Sequence, residues 1–382
     1  KPMHRLLQGE VGSGKAQPIE SLVLTPSGFK RMAEIQVGDE VVNPTGEVTV
    51  VTGVFPQGRR DVWRIVFSDG STVECDDEHL WAVNTSAAWH RHQALQVKTT
   101  REIRGDLLKK NGQSKWYIPG TIAVDLECGE ERPLDPYLLG LLIGDGCFRA
   151  NITLSTSDQE IVKAASDALP PGCFLKRAFR KYDYYIRCKP RPNQFQPHPV
   201  VRAIEELGLR GALSRDKHVP RAYLVAPIKV RHAVLQGLLD TDGTINRKQG
   251  SNVSFLSASR QLALDVQWLA HSLGGLARVR PVSKVGGTYF LVSLRLPNEY
   301  PPFRLGRKAQ LWKPLTKYHS FRRAIRRVEY VRPKPVQCIS VAHPNQLYVT
   351  DHFVATHNTL VALWALLCAV QSGMQGAIMA PT

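Results

Sequence analysis

No CxxC pair occurs among the seven cysteines of this 382-residue chain, and their number is odd. Both facts argue against a disulfide framework and against a zinc site. They point instead to a reduced, cytoplasmic setting. No run of about 18 or more apolar residues is present, so no membrane span is expected. The opening KPMHRLLQGE lacks an apolar signal core and reads as the interior of a larger protein. Acidic residues are in deficit, 33 against 50 basic ones, which leaves a net charge of +17. A surplus of this size favours a polyanionic partner, nucleic acid first, because phosphate contacts release counterions. A merely soluble basic surface is the other reading. Hydrophobic content of 43% is that of an ordinary globular protein. At roughly 100–200 residues per domain, the length allows two or three domains.

One further absence interrupts a motif. The segment GEVGSGK supplies Gly9, Gly14 and Lys15 of a phosphate-binding loop. That loop needs Ser or Thr next, and Ala16 offers no hydroxyl to a magnesium ion. By itself the segment is only a glycine turn. The far end of the chain supplies the missing residue, because Asn358 is followed by Thr359 and the apolar run LVALWALLCAV. Joining Lys15 to Thr359 gives GEVGSGKTLVALWALL, a complete loop entering a helix whose N-terminus would hold ATP phosphates. Residues 16–358 therefore interrupt one gene product. The flanks PMHRLLQGEVGSGK and MAPT (Met379 to Thr382) resemble an ATP-dependent DNA helicase of the RecG type. They are too short to bury a core unaided. The unspliced chain is accordingly not expected to work as a helicase, and ATP belongs only to the joined product.

The interrupting block has its own pattern. ESLVLTPSGFKRMAEIQVGDEVV (Glu20 to Val42) alternates apolar and polar positions around a Pro-Ser-Gly turn, which predicts a β-hairpin. VQCISVAHPNQLYVTDHFVATHN (Val336 to Asn358) ends in a His-Asn pair followed by a hydroxyl residue. The two segments resemble the first and the last motifs of inteins. An asparagine can cyclise onto its own backbone carbonyl and break the following bond. On this resemblance Asn358 releases Thr359, and His357 protonates the leaving amine or polarises the carbonyl. Thr359 first accepts the upstream flank as an ester.

Inteins usually begin with Cys or Ser, and Ala16 cannot take their part. Trp81, two residues after His79 in DDEHLW, Cys338 in QCISV and Thr356 before His357 match the triplet that marks class 3 inteins. That resemblance implies that Cys338 attacks the Lys15 carbonyl directly and displaces the Ala16 amine, a role suited to a thiolate. It further implies that His79 contacts the scissile amide and helps protonate its nitrogen, that Trp81 packs beside Cys338, and that Thr356 orients the thiol or the intermediate. The alternatives are a buried strand cysteine, a plain core tryptophan, an ordinary strand threonine and an engineered Ala16. Asp76 stands where threonine is usual, three residues before the histidine. His343 and His352 read as surface residues.

A repeat occupies the middle of the block. LLGLLIGDG (Leu138 to Gly146) and LQGLLDTDG (Leu235 to Gly243) resemble the LAGLIDADG motif of homing endonucleases. Each predicts a helix stopped by glycine. Gly140 and Gly237 would let the two helices pack closely and bring Asp145 and Asp242 together. Such a carboxylate pair can hold Mg2+, which activates water against a phosphodiester. Each copy is followed by a Ser-rich helix start and basic strand-like sequence, Phe174 to Cys188 and Leu276 to Arg295. In this family such sheets saddle DNA, and β-ribbons can read the major groove. Lys217 resembles a motif lysine that orients water or neutralises charge, with an ordinary surface lysine as the alternative, and no partner stands out in the other half. The stretch from Arg304 to Lys334, with RRAIRR and one acid, Glu329, reads as phosphate-contacting structure or as a solvated linker. The basic part of 83–130 belongs either to the splicing block or to the DNA contact.

The expected architecture is multidomain. An all-β, horseshoe-shaped Hint splicing domain is built from 16–130 and 331–358. An α+β endonuclease domain with pseudo-twofold symmetry spans 131–330, and residues 1–15 and 359–382 are helicase flanks. Splicing should need no cofactor, and DNA cleavage should need Mg2+. The expected partner is double-stranded DNA of the host gene's insertion site. No membrane is involved, and the chain is expected to be a monomer. Rival readings are a degenerate insert that only binds DNA, and a helicase fragment as the working unit.

Overall fold

The computed structural model describes residues 16–189, 198–245, 250–285, 287–315 and 321–357. They form two units, one from both ends of the chain, up to Thr121 and from Arg322 onward, and one from Ile122–Phe321. The division falls earlier than expected at both ends, at 121/122 rather than 130/131 and at 321/322 rather than 330/331. The cause is a pairing of strand Trp116–Pro119 with the start of strand Arg322–Val341, in the register Arg322↔Pro119 to Ala324↔Tyr117. RRAIRR and the chain up to Thr121 thus belong to the first unit.

That unit is a twelve-stranded sheet, antiparallel throughout, with two short helices, Ser86–His90 and Thr100–Gly105. The Pro-Ser-Gly hairpin forms as its sequence predicts. Leu22–Thr25 pairs with Gly28–Arg31, and Gly28 takes φ 103°, a value that only glycine adopts without strain. Two twenty-residue strands, Val48–Phe67 and Arg322–Val341, pair along their lengths with register shifts at four points. Bulges of this kind let long strands bend and coil, so one pair can serve two separate cores. One core holds Ile65, Trp81, Trp116 and Val354, and the other Val23, Val41, Ile339 and Tyr348.

RRAIRR does not form a phosphate-facing patch throughout, because Arg323 is buried. Its Nε donates to Asp69 at 2.6 Å, and its two Nη atoms donate to the carbonyls of Phe353 and His352 at 2.8 and 2.9 Å. His352 and Phe353 both have positive φ, 56° and 57°. Arg323 thereby fixes the turn that leads into strand Val354–His357. His352 is exposed as expected, while His343 is half-buried between Glu47 and Asn345.

The second unit is α+β and repeats itself. Helix Pro136–Asp145 is followed by strands 146–147 and 153–155, helix Gln159–Asp167, and strands Cys173–Arg177 and Asp183–Cys188. Helix Ile228–Asp242 is followed by strands 243–245 and 253–257, helix Arg260–Ser272, and strands Leu276–Lys284 and Gly287–Arg295. The two four-stranded sheets have the same strand order, and one hydrophobic core joins the halves. Cys173 and Cys188 lie directly opposite each other in their strands and are joined by a disulfide. The odd cysteine count had pointed the other way, since pairing across a hairpin leaves no local signature such as CxxC.

Candidate functional site

Two sets of residues are chemically distinctive, one in each unit. In the first, Gln17 and Pro18 pair with Gln337 and Val336. This places Ala16, fully buried, in a small cluster with Val62, Val336 and Cys338. The Ala16 carbonyl accepts a hydrogen bond from the Asp76 amide at 3.0 Å. Cys338 is 2% exposed, and its Sγ lies 3.7 Å from the Ile339 carbonyl. Tyr348 donates its hydroxyl to Gln17 Oε1 at 3.0 Å and so ties the second residue of the block to the C-terminal strands.

His79, Trp81, Thr356 and His357 also come together. Strand Val354–His357 meets strand Leu80–Thr85 with His357 opposite Leu80, and His79 Nε2 hydrogen-bonds the Thr356 hydroxyl. Trp81 stands edge-on to His79 with ring centroids 5.0 Å apart. Its indole N–H donates to Thr100 Oγ1 at 3.1 Å. One expected contact is therefore replaced. Trp81 packs in the cluster of Cys75 and supports His79, rather than packing beside Cys338. The Thr356 hydroxyl meets His79. Cys75 is also buried, and burial raises its thiol far above the ordinary range. Gly9, Gly14, Lys15, Asn358 and Thr359 lie outside the described residues.

In the second unit the motif glycines act through backbone contact. A Cβ on Gly140 would strike the Val234 carbonyl, and one on Gly237 would strike the Tyr137 carbonyl. Gly144 packs on Thr241, so the helices run side by side in one direction and their ends converge. The terminal glycines stop the helices as expected, without a left-handed conformation. Gly146 (φ −91°) and Gly243 (φ −77°) are extended and start strands at once. A Cβ on either would collide with a carbonyl of its own helix, Leu142 or Leu239.

Asp145 is half-buried, and burial followed by repulsion from Asp242 pushes its carboxyl up to about 6. Asp242 keeps an exposed side, yet the protein packed around it raises its carboxyl, while Lys217 and Lys308 oppose the rise. Lys217 is buried and donates to the carbonyls of Gly144 and Gly146, which flank Asp145, at 3.0 and 2.8 Å. The ordinary surface lysine is thereby excluded. Lys308 repeats the arrangement in the other half. It donates to the carbonyls of Thr241 and Gly243, which flank Asp242, at 3.2 and 2.6 Å, and also to Leu239 and Asp240. Burial lowers Lys217 and brings Lys308 to about 8. Lys308 is the residue that sequence reasoning missed. The available signal was its position, since each lysine follows its aspartate at a similar distance along the chain. Asp240, the other acid of the second copy, is structural. It accepts from Tyr137 Oη at 2.8 Å and from the amides of Arg304 and Leu305, and so holds the segment that presents Lys308.

The two sheets bear basic side chains. Lys176 and Arg187 are exposed in the first, with Arg187 over the Tyr185 ring at 4.8 Å. Arg278, Arg280 and Lys284 alternate along one exposed strand of the second. Basic and aromatic groups on a sheet match the chemistry of a nucleic-acid backbone and bases.

A model of a LAGLIDADG-like domain matches residues 229–298. Replicative DNA helicase DnaB of Mycobacterium intracellulare is 28% identical over 394 residues, covering 96% of this chain and 62% of that protein. DnaB of Rhodothermus marinus is 29% identical over 248 residues, covering 61% of this chain and 24% of that protein. The chain thus spans less than two thirds of the length of these curated relatives. Among solved structures, the MchDnaB-1 intein covers 90% of this chain and 100% of its own, at 11% identity and a TM-score of 0.29. I-DmoI in complex with DNA and Ca covers 47% of this chain and 95% of its own, at 13% identity and a TM-score of 0.33.

Proposed function

We propose that this chain excises residues 16–358 from itself, joins Lys15 to Thr359, and contains a site-specific double-strand DNA endonuclease. The observation that carries the splicing reading is the burial of Ala16 against Cys338 at the start of the block. In this reading Cys338 attacks the Lys15 carbonyl, as in class 3 inteins, and Ala16 is native. The flank then moves to Thr359, and Asn358 cyclises while His357 protonates the departing amine. His79, held by Thr356 and Trp81, orients the upstream junction. The curated relatives are DnaB helicases, whereas the flanking residues of this chain favour a RecG-type host. Insert and host are separate inheritances in this reading, so the RecG-type host is our proposal from the flanks alone, beside relatives that are DnaB helicases. The joined helicase would then bind ATP.

For the endonuclease, Asp145 and Asp242 would hold a divalent cation, magnesium by preference. Their mutual repulsion and raised carboxyls are what a cation between them would relieve. Such an ion supplies an activated water and neutralises the developing phosphate charge. Lys217 and Lys308 keep the carbonyls beside each aspartate fixed and place two positive charges near the scissile phosphates. The basic sheets bind the DNA backbone.

Mass spectrometry of the freshly expressed chain beside its Cys338→Ala variant tests splicing. Joined flanks from the parent alone support direct attack; identical behaviour of the two would refute it. Incubation with a DNA duplex spanning the uninterrupted host junction and Mg2+ tests cleavage. Binding without cutting would mark the insert as a DNA-binding remnant.

A further inference from the structure

Asp76, where the intein resemblance expects threonine, ends strand Thr72–Asp76 beside the upstream junction. Its amide holds the Ala16 carbonyl at 3.0 Å. Its side chain is 3% exposed, and Arg60 Nη1 reaches Oδ2 at a long 3.4 Å. Among the described residues, buried Oδ1 has no partner in hydrogen-bonding geometry. The backbone amides of Ala16 and His79 lie near enough to favour the charged carboxylate, but burial outweighs them and pushes the carboxyl up to about 6. A buried acceptor left without a partner destabilises by about 1–3 kcal/mol, so its presence calls for a reason. The Ala16 nitrogen provides one, because that atom must gain a hydrogen when the upstream bond breaks. His79 lies in the same neighbourhood, with its Nε2 on the Thr356 hydroxyl.

We propose that Asp76 is the acid that protonates the Ala16 nitrogen as the Lys15–Ala16 bond breaks. The assignment rests on the reading of Cys338 as the attacking thiol. A sulfur–carbon bond forms between Cys338 and the Lys15 carbonyl, and the carbon–nitrogen bond to Ala16 breaks. Asp76 gives one proton to the departing nitrogen. The proton lost by the thiol returns Asp76 to its acid form, so the step balances without any co-reactant. The ionisable groups that act on Asp76 are Arg60, from strand Val48–Phe67, and Glu78, in the turn before His79. Arg60 favours loss of the proton and Glu78 favours its retention.

The test uses the full chain with Asn358→Ala to block the downstream break. Release of the flank ending at Lys15 by added dithiothreitol is followed by mass spectrometry between pH 5 and pH 8. Cys338→Ala should abolish release. Asp76→Asn should slow it by about 100-fold at pH 5, the low end of what a positioned acid contributes. The ratio of parent to variant rates should then fall as pH rises through 6, which a purely structural role for Asp76 would not produce. Asp76→Glu should restore part of the rate together with its pH dependence. If Asp76→Asn does not fold, Asp76→Thr replaces it and should show the same vanishing ratio. A ratio within threefold of one at every pH, with Cys338→Ala inactive, overturns the role of Asp76 alone. Release by Cys338→Ala overturns the reading beneath it.

Discussion

Replacing Arg323 with methionine should unlock the C-terminal end of the first unit. Arg323 and Asp69 are 2% and 5% exposed, and the guanidinium also holds the carbonyls of His352 and Phe353. Removing one member of a buried ion pair leaves an uncompensated charge and costs about 3–5 kcal/mol. The Phe353 carbonyl keeps a second donor, Thr121 Oγ1 at 3.3 Å, and Asp69 keeps Ser71, so the lower end of that range is expected. A chain of two units need not unfold in one step, so a single melting temperature is the wrong probe. Hydrogen exchange read peptide by peptide is better, in a Cys338→Ala, Asn358→Ala background, which the proposed mechanism leaves unreacted. About 3 kcal/mol corresponds to roughly a 100-fold loss of protection in peptides from Leu347 to His357. Peptides from the second unit should not change. Adding Asp69→Asn should recover part of the loss, because the pair is coupled. Protection within threefold of the parent, or strictly additive single and double variants, would refute the idea that this pair sets the turn. With splicing restored, both junction steps should slow, since the turn feeds the strand that bears Thr356 and His357.

Three other outcomes follow from the second unit. Gly140→Ala forces a methyl into the Val234 carbonyl and should lower stability by about 1–3 kcal/mol or more, measured by thermal unfolding of that unit; an unchanged transition would show that the helices can separate freely. Lys308→Met should reduce Mg2+-dependent DNA cleavage about as much as Lys217→Met, with duplex affinity nearly unchanged in gel shifts; a silent Lys308→Met would break the proposed symmetry. Asp145, with its carboxyl near 6, must be charged to hold a cation, so cleavage should rise as pH climbs from 5 to 7. The same raised value makes the metal-free unit lose stability as pH rises from about 4 to 6, because over that interval the folded chain retains a proton the unfolded chain has lost. Divalent cation should reverse the loss, and a flat stability profile would contradict the raised value.

Legibility in the sequence followed locality. Asp145 and Asp242 were readable because helix periodicity, small residues and the closing Asp-Gly all lie within nine positions. The β-hairpin of Leu22–Arg31 was readable because its turn residues are adjacent. Lys308 was hidden, because a lysine that binds backbone carbonyls looks like any other until the chain folds over it. Arg323 misled, since composition counts charge and cannot tell a buried guanidinium from one that meets phosphate. The triplet of Trp81, Cys338 and Thr356 pointed to the right neighbourhood but not to the contacts, which depend on how strands distant in sequence are registered. Asp76 looked like a departure from a motif, and only its unpartnered oxygen turned it into a hypothesis.

The pairing of Trp116–Pro119 with Arg322–Ala324 also has a meaning in heredity. Every residue of the second unit enters and leaves through the ends of two neighbouring strands, as a parenthesis does in a sentence. Deleting the parenthesis would leave those ends beside each other, where a turn of a few residues could rejoin them. An ancestor could thus have acquired the second unit, and a descendant could discard it, with no strand of the twelve-stranded sheet rewritten. Selection on the two parts is then free to follow separate courses.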